Sequence, residues 1–222
     1  ELKELDWDDY RKRYDNIHRL DRILKAEGKS PDEYKVAKQA DFLMTFYNLD
    51  VDEVTHIIKD LGYKLPKDYL KKNFEYYLQR TSHGSTLSRV VHAYLANKIG
   101  DDKMSWDLYR EALESDYVDI QGGTTGEGIH AGVMGGTVMI ALNTYAGLNL
   151  QSEHVRLAPK LPHSWKKMTF SIHFKENYYT FEVQESQISV ELINAPKDTA
   201  TVYINDKKML LERGKTHVMQ LT

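Results

Sequence analysis

Cysteine is absent from this sequence. That removes disulfides, thiolate metal sites and cysteine nucleophiles together, and it fits a reducing compartment. No stretch approaches the ~20 consecutive apolar residues that a membrane span needs. The opening run from Glu1 to Tyr10 is charged and lacks the apolar centre of a secretory signal. A cytoplasmic protein with no membrane partner is the expectation. A basic excess is missing as well: 30 Lys and Arg stand against 33 Asp and Glu, a net charge of -3. With no positive field to neutralise a phosphate backbone, a nucleic-acid partner is not expected. There is no Walker loop and no GxGxxG after a strand. His83, His92 and His130 are widely spaced, with no His-x-x-x-His pair, so no metal site is expected. The chain opens without methionine, and Leu5, Trp7 and Tyr10 read as the middle of a longer chain; methionine removal and mature-protein numbering are the alternatives.

What is present is an ordinary globular composition, 41% hydrophobic and 28% charged over 222 residues, enough for one large domain or two small ones. Its character changes near residue 153. Before that point apolar residues recur at helical spacing. Leu87, Val90, Val91, Tyr94 and Leu95 follow the i, i+3, i+4, i+7, i+8 pattern. Similar spacing predicts helices near 7–26, 34–48, 51–61, 66–78, 103–115 and 128–147. Gly28, Gly62 and Gly100 mark helix ends. The segments around Phe42–Tyr47 and Val133–Leu142 are apolar on more than one face, as helices buried all round would be. Inner helices of a double-layered barrel, or central helices of a bundle, have this character.

After residue 153 the apolar positions alternate: Phe170, Ile172, Phe174; Tyr179, Phe181, Val183; Ile188, Val190, Leu192. These are half-buried antiparallel strands. Lys175-Glu176-Asn177 and Glu185-Ser186 read as hairpin gaps, and Asn205-Asp206 as a turn. Six or so short strands imply a small β-sandwich or half a jelly roll.

Three stretches can carry chemistry. The first is Arg80-Thr81-Ser82-His83-Gly84-Ser85-Thr86-Leu87-Ser88, directly before an amphipathic helix. Free N–H groups and the positive dipole end of that helix favour an anion, with Ser85 and Thr86 as further donors. The plain alternative is a cap, with Ser82, Ser85 or Thr86 satisfying one N–H. The second is Gln121-Gly122-Gly123-Thr124-Thr125-Gly126-Glu127-Gly128-Ile129-His130. Its glycines suggest backbone approach to a ligand. His130 is either a donor to that ligand or a structural histidine. The third is Lys38-Gln39-Ala40-Asp41, two long polar side chains inside the predicted helix 34–48. Such groups need partners: a hydroxyl-rich sugar, water, a neighbouring loop, or Asp41 for Lys38. Asp32-Glu33 after Ser30-Pro31 is a tempting acid pair, but proline and acids in a first turn read as a helix start.

Taken in order, Lys38-Gln39-Ala40-Asp41, Thr81-Ser82-His83-Gly84-Ser85-Thr86-Leu87-Ser88 and Gly126-Glu127-Gly128-Ile129-His130 resemble glycoside hydrolase family 65. Asp119-Ile120-Gln121-Gly122, and Leu161-Pro162 followed by Trp165, extend the likeness over nearly the whole chain. The resemblance implies a mainly α fold with a C-terminal β-domain: residues 1–152 as the closing helices of an (α/α)6 barrel, 153–222 as a small antiparallel β-sandwich or jelly-roll-like sheet. It implies the C-terminal part of a phosphorylase. In that chemistry inorganic phosphate attacks the anomeric carbon of an α-glucosyl disaccharide and inverts it, releasing β-glucose 1-phosphate. Carried over by motif, Lys38 and Gln39 contact the transferred glucose, and Ser82, His83, Gly84, Ser85, Thr86, Gly128 and His130 hold phosphate. The general acid of the family lies upstream of the Lys-Gln motif, so no catalytic residue is assigned here and this chain alone is expected to be inactive. Phosphate is a co-substrate, and no cofactor or metal is implied. The expected partners are disaccharide, phosphate, the N-terminal part of the same enzyme and, in the full-length enzyme, a second copy as a homodimer. A trehalose or other α-glucoside hydrolase of the same family is the alternative, as is a non-catalytic carbohydrate-binding module. An open barrel would leave apolar inner faces uncovered, so the chain alone is expected to self-associate or pack against upstream sequence.

Overall fold

The two kinds of apolar spacing become two units, Glu1–Thr137 and Val138–Thr222. The computed structural model describes residues 1–49, 51–120 and 125–221. The division between the units falls within a helix, whereas the change in composition read from the sequence lies at 152/153.

Eight α-helices occur among the described residues: α1 (Trp7–Arg13), α2 (Leu20–Ala26), α3 (Asp41–Leu49), α4 (Val51–Asp60), α5 (Tyr69–Leu78), α6 (Leu87–Lys98), α7 (Asp102–Glu114) and α8 (Ala131–Met139). In the first unit α6 is the central helix. Every residue from Ser88 to Ala96 is buried, and α3, α5 and α7 pack around it. Gly136 of α8 lies so close to Val90 that a Cβ there would sit 2.9 Å from Val90 Cγ1. A side chain at 136 would hold α8 away from α6. A second small core joins Leu5, Tyr10, Leu20 and Leu24, with Tyr34 and Val36 packed against it.

Several predicted helices take different bounds. The stretch 7–26 is two helices, because Asn16 Oδ1 accepts the His18 N–H at 2.9 Å and turns the backbone between them. The stretch 34–48 becomes helical only at Asp41. Its first part is extended: Tyr34 bridges to Lys3 and Ala37 to Thr81, so tertiary pairing takes the N–H groups a helix would have used. The stretch 128–147 is α8 followed by a π-helical turn, Ile140–Tyr145. The two helices read as buried all round also carry exposed apolar side chains: Phe42 on α3 is 46% exposed, and Val138 and Met139 on α8 are 58% and 44% exposed.

The second unit holds eight strands: β1 (Leu148–Asn149), β2 (Val155–Leu157), β3 (Lys167–Phe174), β4 (Asn177–Gln184), β5 (Gln187–Asn194), β6 (Thr199–Ile204), β7 (Lys207–Glu212) and β8 (Thr216–Gln220). They form two four-stranded sheets, ordered β1-β2-β6-β7 and β3-β4-β5-β8. All pairs are antiparallel except β2 with β6. Inward residues of both sheets share one core, including Phe181, Val190, Leu192, Val202, Ile204 and Leu211. Each such side chain contributes about 1.5–3 kcal/mol relative to exposure. Lys175-Glu176 and Asn205-Asp206 adopt positive φ at both positions, as two-residue hairpins with the twist of their strands require. The expected count of six or so strands missed β1 and β2, two and three residues long, which are too short to show alternation.

Candidate functional site

The extended segment before α3 brings the first and third stretches together. Ala37 N–H donates to Arg80 O, Ser82 N–H to Ala37 O, both at 2.8 Å, and Gly84 N–H to Lys38 O at 2.9 Å. Lys38 and Gln39 therefore lie beside the serine-rich loop, not within a helix as the spacing implied. Lys38 is exposed, and Gln39 Nε2 donates to Asp41 Oδ1 at 2.7 Å, so the partner of Asp41 is Gln39. A cavity of about 400 Å³ opens at this junction, lined by Asp21, Asp32, Tyr34, Lys38 and Ser82 among others. A concavity with carboxylates, a lysine and a hydroxyl around an apolar floor suits a polyhydroxylated ligand. Gly84 is required by the fold here. A Cβ would collide with the His18 carbonyl oxygen and lie 3.0 Å from Lys38 Cγ.

Beneath the loop is a buried polar network that the sequence does not reveal. The Arg89 side chain, 2% exposed, donates from Nε to Glu111 Oε2 at 2.8 Å and from Nη1 to His83 O at 3.3 Å. Its Nη2 lies 3.4 Å from His18 Nε2, and His18 Nδ1 donates to Ser82 O at 2.8 Å. Two carbonyls of the loop, at 82 and 83, are thus held from inside. His83 Nδ1 is 3.0 Å from Ser88 Oγ, and its ring meets the His92 ring edge-on with centroids 4.7 Å apart. His92 Nδ1 donates to Ser88 O at 2.8 Å. Burial pushes all three histidines toward the neutral form: His83 down to about 3, with His92, Arg89 and His18 adding repulsion, and His18 and His92 in the same direction. His83 carries a positive φ of 52°, so its backbone is held in a conformation that side chains rarely adopt.

The start of α6 does not follow the cap reading. Thr86 takes the cap position in helical geometry, and no side chain caps this end. Ser88 N–H and Arg89 N–H turn back to Ser85 O and Thr86 O. Thr86 is buried and Ser85 half-buried at the mouth of the helix. Twelve residues of helix direct their positive end here.

Residues Gln121 to Thr124 of the second stretch lie outside the described residues. The described part, Thr125–His130, is a 3₁₀ turn followed by Gly128 at φ 90°. His130 is gripped by Asp116: its N–H donates to Oδ2 at 2.8 Å and its Nδ1 to Oδ1 at 2.7 Å. Glu127 Oε2 lies 3.6 Å from His130 Nε2. These contacts, the Asp116 hydrogen bond above all, hold the imidazole pKa above its usual value. Among the described residues no hydrogen bond or ion pair joins this segment to the 82–86 loop; the packing of Gly136 on Val90 relates α8 to α6. The Asp32-Glu33 pair sits on a 3₁₀ turn capped by Ser30, whose Oγ accepts the Asp32 N–H, and Glu33 pairs with Lys3 at 2.8 Å.

Sequence reasoning missed Asp116, Arg89, His18 and Glu111. Arg89 left one sign, a full charge in the middle of an apolar helix; the others left none.

The chain matches the model of the glycosyl hydrolase family 65 central catalytic domain over residues 1–139 and that of the family 65 C-terminal domain over residues 148–211. It is 47% identical over 210 residues to a trehalose 6-phosphate phosphorylase of Lactococcus lactis subsp. lactis, which covers 95% of this chain and 27% of that protein. It is 28% identical over 182 residues to an α,α-trehalose phosphorylase of Thermoanaerobacter brockii, covering 82% of this chain and 22% of that protein. A solved structure of a protein named as a kojibiose phosphorylase, from the human microbiome, superposes on 100% of this chain and 29% of its own with a TM-score of 0.72 at 22% identity. That likeness concerns the fold alone: part of a helical barrel followed by a β-domain. The chain spans roughly a quarter of the length of these relatives.

Proposed function

This chain belongs to glycosyl hydrolase family 65, and we propose on that premise that it is the C-terminal portion of an inverting phosphorylase of an α-glucosyl disaccharide. Residues 1–152 close the helical barrel and 153–222 form the C-terminal domain. Inorganic phosphate attacks the anomeric carbon of the glucosyl unit from the face opposite the leaving oxygen, which a general acid upstream of this chain protonates. Phosphate stands where an inverting hydrolase would place an activated water, so one acid and an anion cradle suffice. Lys38 and Gln39 contact the transferred glucose. Ser82, His83, Gly84, Ser85, Thr86, Gly128 and His130 hold phosphate. No cofactor enters the step.

The observation that carries the reading is the hydrogen bond from Gly84 N–H to Lys38 O, with the cavity shared by Lys38 and Ser82. It keeps Lys38 and Gln39 against the loop at the start of α6, which supports a sugar and an anion held side by side. A hydrolase would need a carboxylate base there, and the sequence between Gln79 and Ser88 contains none. Among disaccharides, the 47% identity to the Lactococcus protein favours a trehalose carrying a 6-phosphate. A cytoplasmic location and a dimeric whole enzyme belong to the same reading.

The test uses the whole protein of which this chain is part. Trehalose 6-phosphate, trehalose, kojibiose and maltose are offered with and without inorganic phosphate, and the anomeric proton of the product is followed by NMR. The expected result is consumption that requires phosphate and yields β-glucose 1-phosphate, fastest with trehalose 6-phosphate. Free glucose released at the same rate without phosphate would establish a hydrolase instead.

A further inference from the structure

One nearly buried carboxylate remains unused by that reading. Asp116 follows the end of α7, and its side chain is only 7% exposed. Both of its oxygens go to a single residue fourteen positions away: Oδ2 accepts the His130 N–H at 2.8 Å and Oδ1 accepts from Nδ1 at 2.7 Å. A carboxylate that grips backbone and ring together fixes where the imidazole stands. It also fixes the proton on Nδ1, because a carboxylate can only accept. Nε2 is then the outward nitrogen of a side chain that is 30% exposed. Among the described residues the charged groups facing this ring are Asp116 and, at 3.6 Å from Nε2, Glu127. Both favour the imidazolium. Gly128, at φ 90°, turns the backbone two residues before it.

We infer that Asp116 is a positioning residue for phosphate: it holds His130 so that Nε2–H is presented to the inorganic phosphate dianion, with Glu127 as the carboxylate the anion competes against. The inference rests on the proposal that His130 binds phosphate. It adds a residue that touches neither substrate, together with a competitor for the same proton. A buried carboxylate behind a ligating histidine sets that histidine's orientation and basicity, and its loss typically weakens the ligand about 10–100-fold in metal sites built on the same pair.

The experiment compares Asp116→Asn, Glu127→Gln and His130→Ala with the parent in the whole enzyme. It measures KM for inorganic phosphate, KM for the disaccharide and the pH dependence of kcat/KM for phosphate. Asp116→Asn is expected to raise the phosphate KM about tenfold, by analogy with such pairs, with little change in the disaccharide KM. Its alkaline limb moves to lower pH, because an imidazolium without its carboxylate loses its proton sooner. Glu127→Gln is expected to lower the phosphate KM. If His130→Ala raises the phosphate KM while Asp116→Asn leaves KM and the alkaline limb unmoved, the inference is overturned and the phosphate reading stands. If His130→Ala leaves phosphate dependence untouched, both fall. Should Asp116→Asn fail to fold, the parent decides: the His130 ring proton is titrated by NMR with and without inorganic phosphate. Added phosphate is expected to raise its pKa, and no response to phosphate would overturn the inference.

Discussion

In the β-unit the strands bury apolar side chains and nothing else: the shared core runs through Phe181, Val190, Leu192, Val202 and Leu211. In the helical unit the buried set includes Thr81, Ser82, Thr86, Ser88, Arg89 and His92. Among the described residues the only buried polar side chain of the second unit is Thr144, in the π-helical turn before the first strand. The same chain thus uses two ways of fixing a structure. Alternating apolar residues hold two sheets together and tolerate change on their outer faces. A buried polar network costs desolvation and returns position, since each of its members must meet a partner. In the first unit that network lies directly under the loop at 82–86, where a ligand would demand position most.

Four measurements bear on this contrast between the units. The largest effect is expected in the apolar core. Phe181→Ala removes a fully buried ring that stacks with Phe170 and with Tyr179 and should cost about 3–5 kcal/mol in denaturant unfolding, with no specific effect on phosphate KM. Next comes Arg89→Met, which keeps the volume but leaves the His83 carbonyl and the His18 ring without their donor. A loss of about 3 kcal/mol is expected, together with a raised phosphate KM, because the His83 carbonyl loses its donor and His18, which holds the Ser82 carbonyl, loses its neighbour. If it loses stability and keeps phosphate affinity, the network is a support of the fold only.

Acid should separate the two units. Burial lowers the folded pKa of His18, His83 and His92. Their contribution is therefore whole above the ordinary imidazole range and is lost as pH falls from about 6.5, by up to about 1.4 kcal/mol per pH unit for each histidine. His83 keeps losing down to about 3. His130, whose pKa is raised, runs the other way and offsets part of this: its contribution is present at low pH and lost as pH rises through its folded value. Scanning calorimetry between pH 7 and 5 is expected to show the helical transition moving down while the β transition stays. A common shift would remove the histidines as its cause. The smallest effect is expected from Gly136→Ala. Its Cβ meets Val90 at 2.9 Å, and a cost of about 1 kcal/mol should appear after the gain in helix propensity.

The fold was legible where periodicity ran long enough. The spacing through Leu87–Leu95 gave α6, and the alternation of 170–192 gave β3, β4 and β5 with their turns. Reading failed where the chain pairs with something distant. Tyr34 and Val36 fit a helix locally, yet the backbone at 34–37 bonds to Lys3 and Arg80. The same limit governs the candidate site. Lys38 and the 82–86 loop could be named from their residues, because lysine, glutamine, serine and glycine in those runs are conspicuous. Asp116 and His18 could not. The bond from Arg89 to His18 spans 71 positions and that from Asp116 to His130 spans 14, and nothing local marks either partner.

The measurement that bears most directly on the account is the phosphate dependence of the whole enzyme carrying Ser85→Ala with His130→Ala. Two of the proposed phosphate donors are removed, while the apolar cores and the Arg89 network are left in place. The phosphate KM is expected to rise by about tenfold or more, with the disaccharide KM little changed. An unchanged phosphate KM would mean that the anion binds elsewhere and that the loop at the start of α6 serves the fold alone.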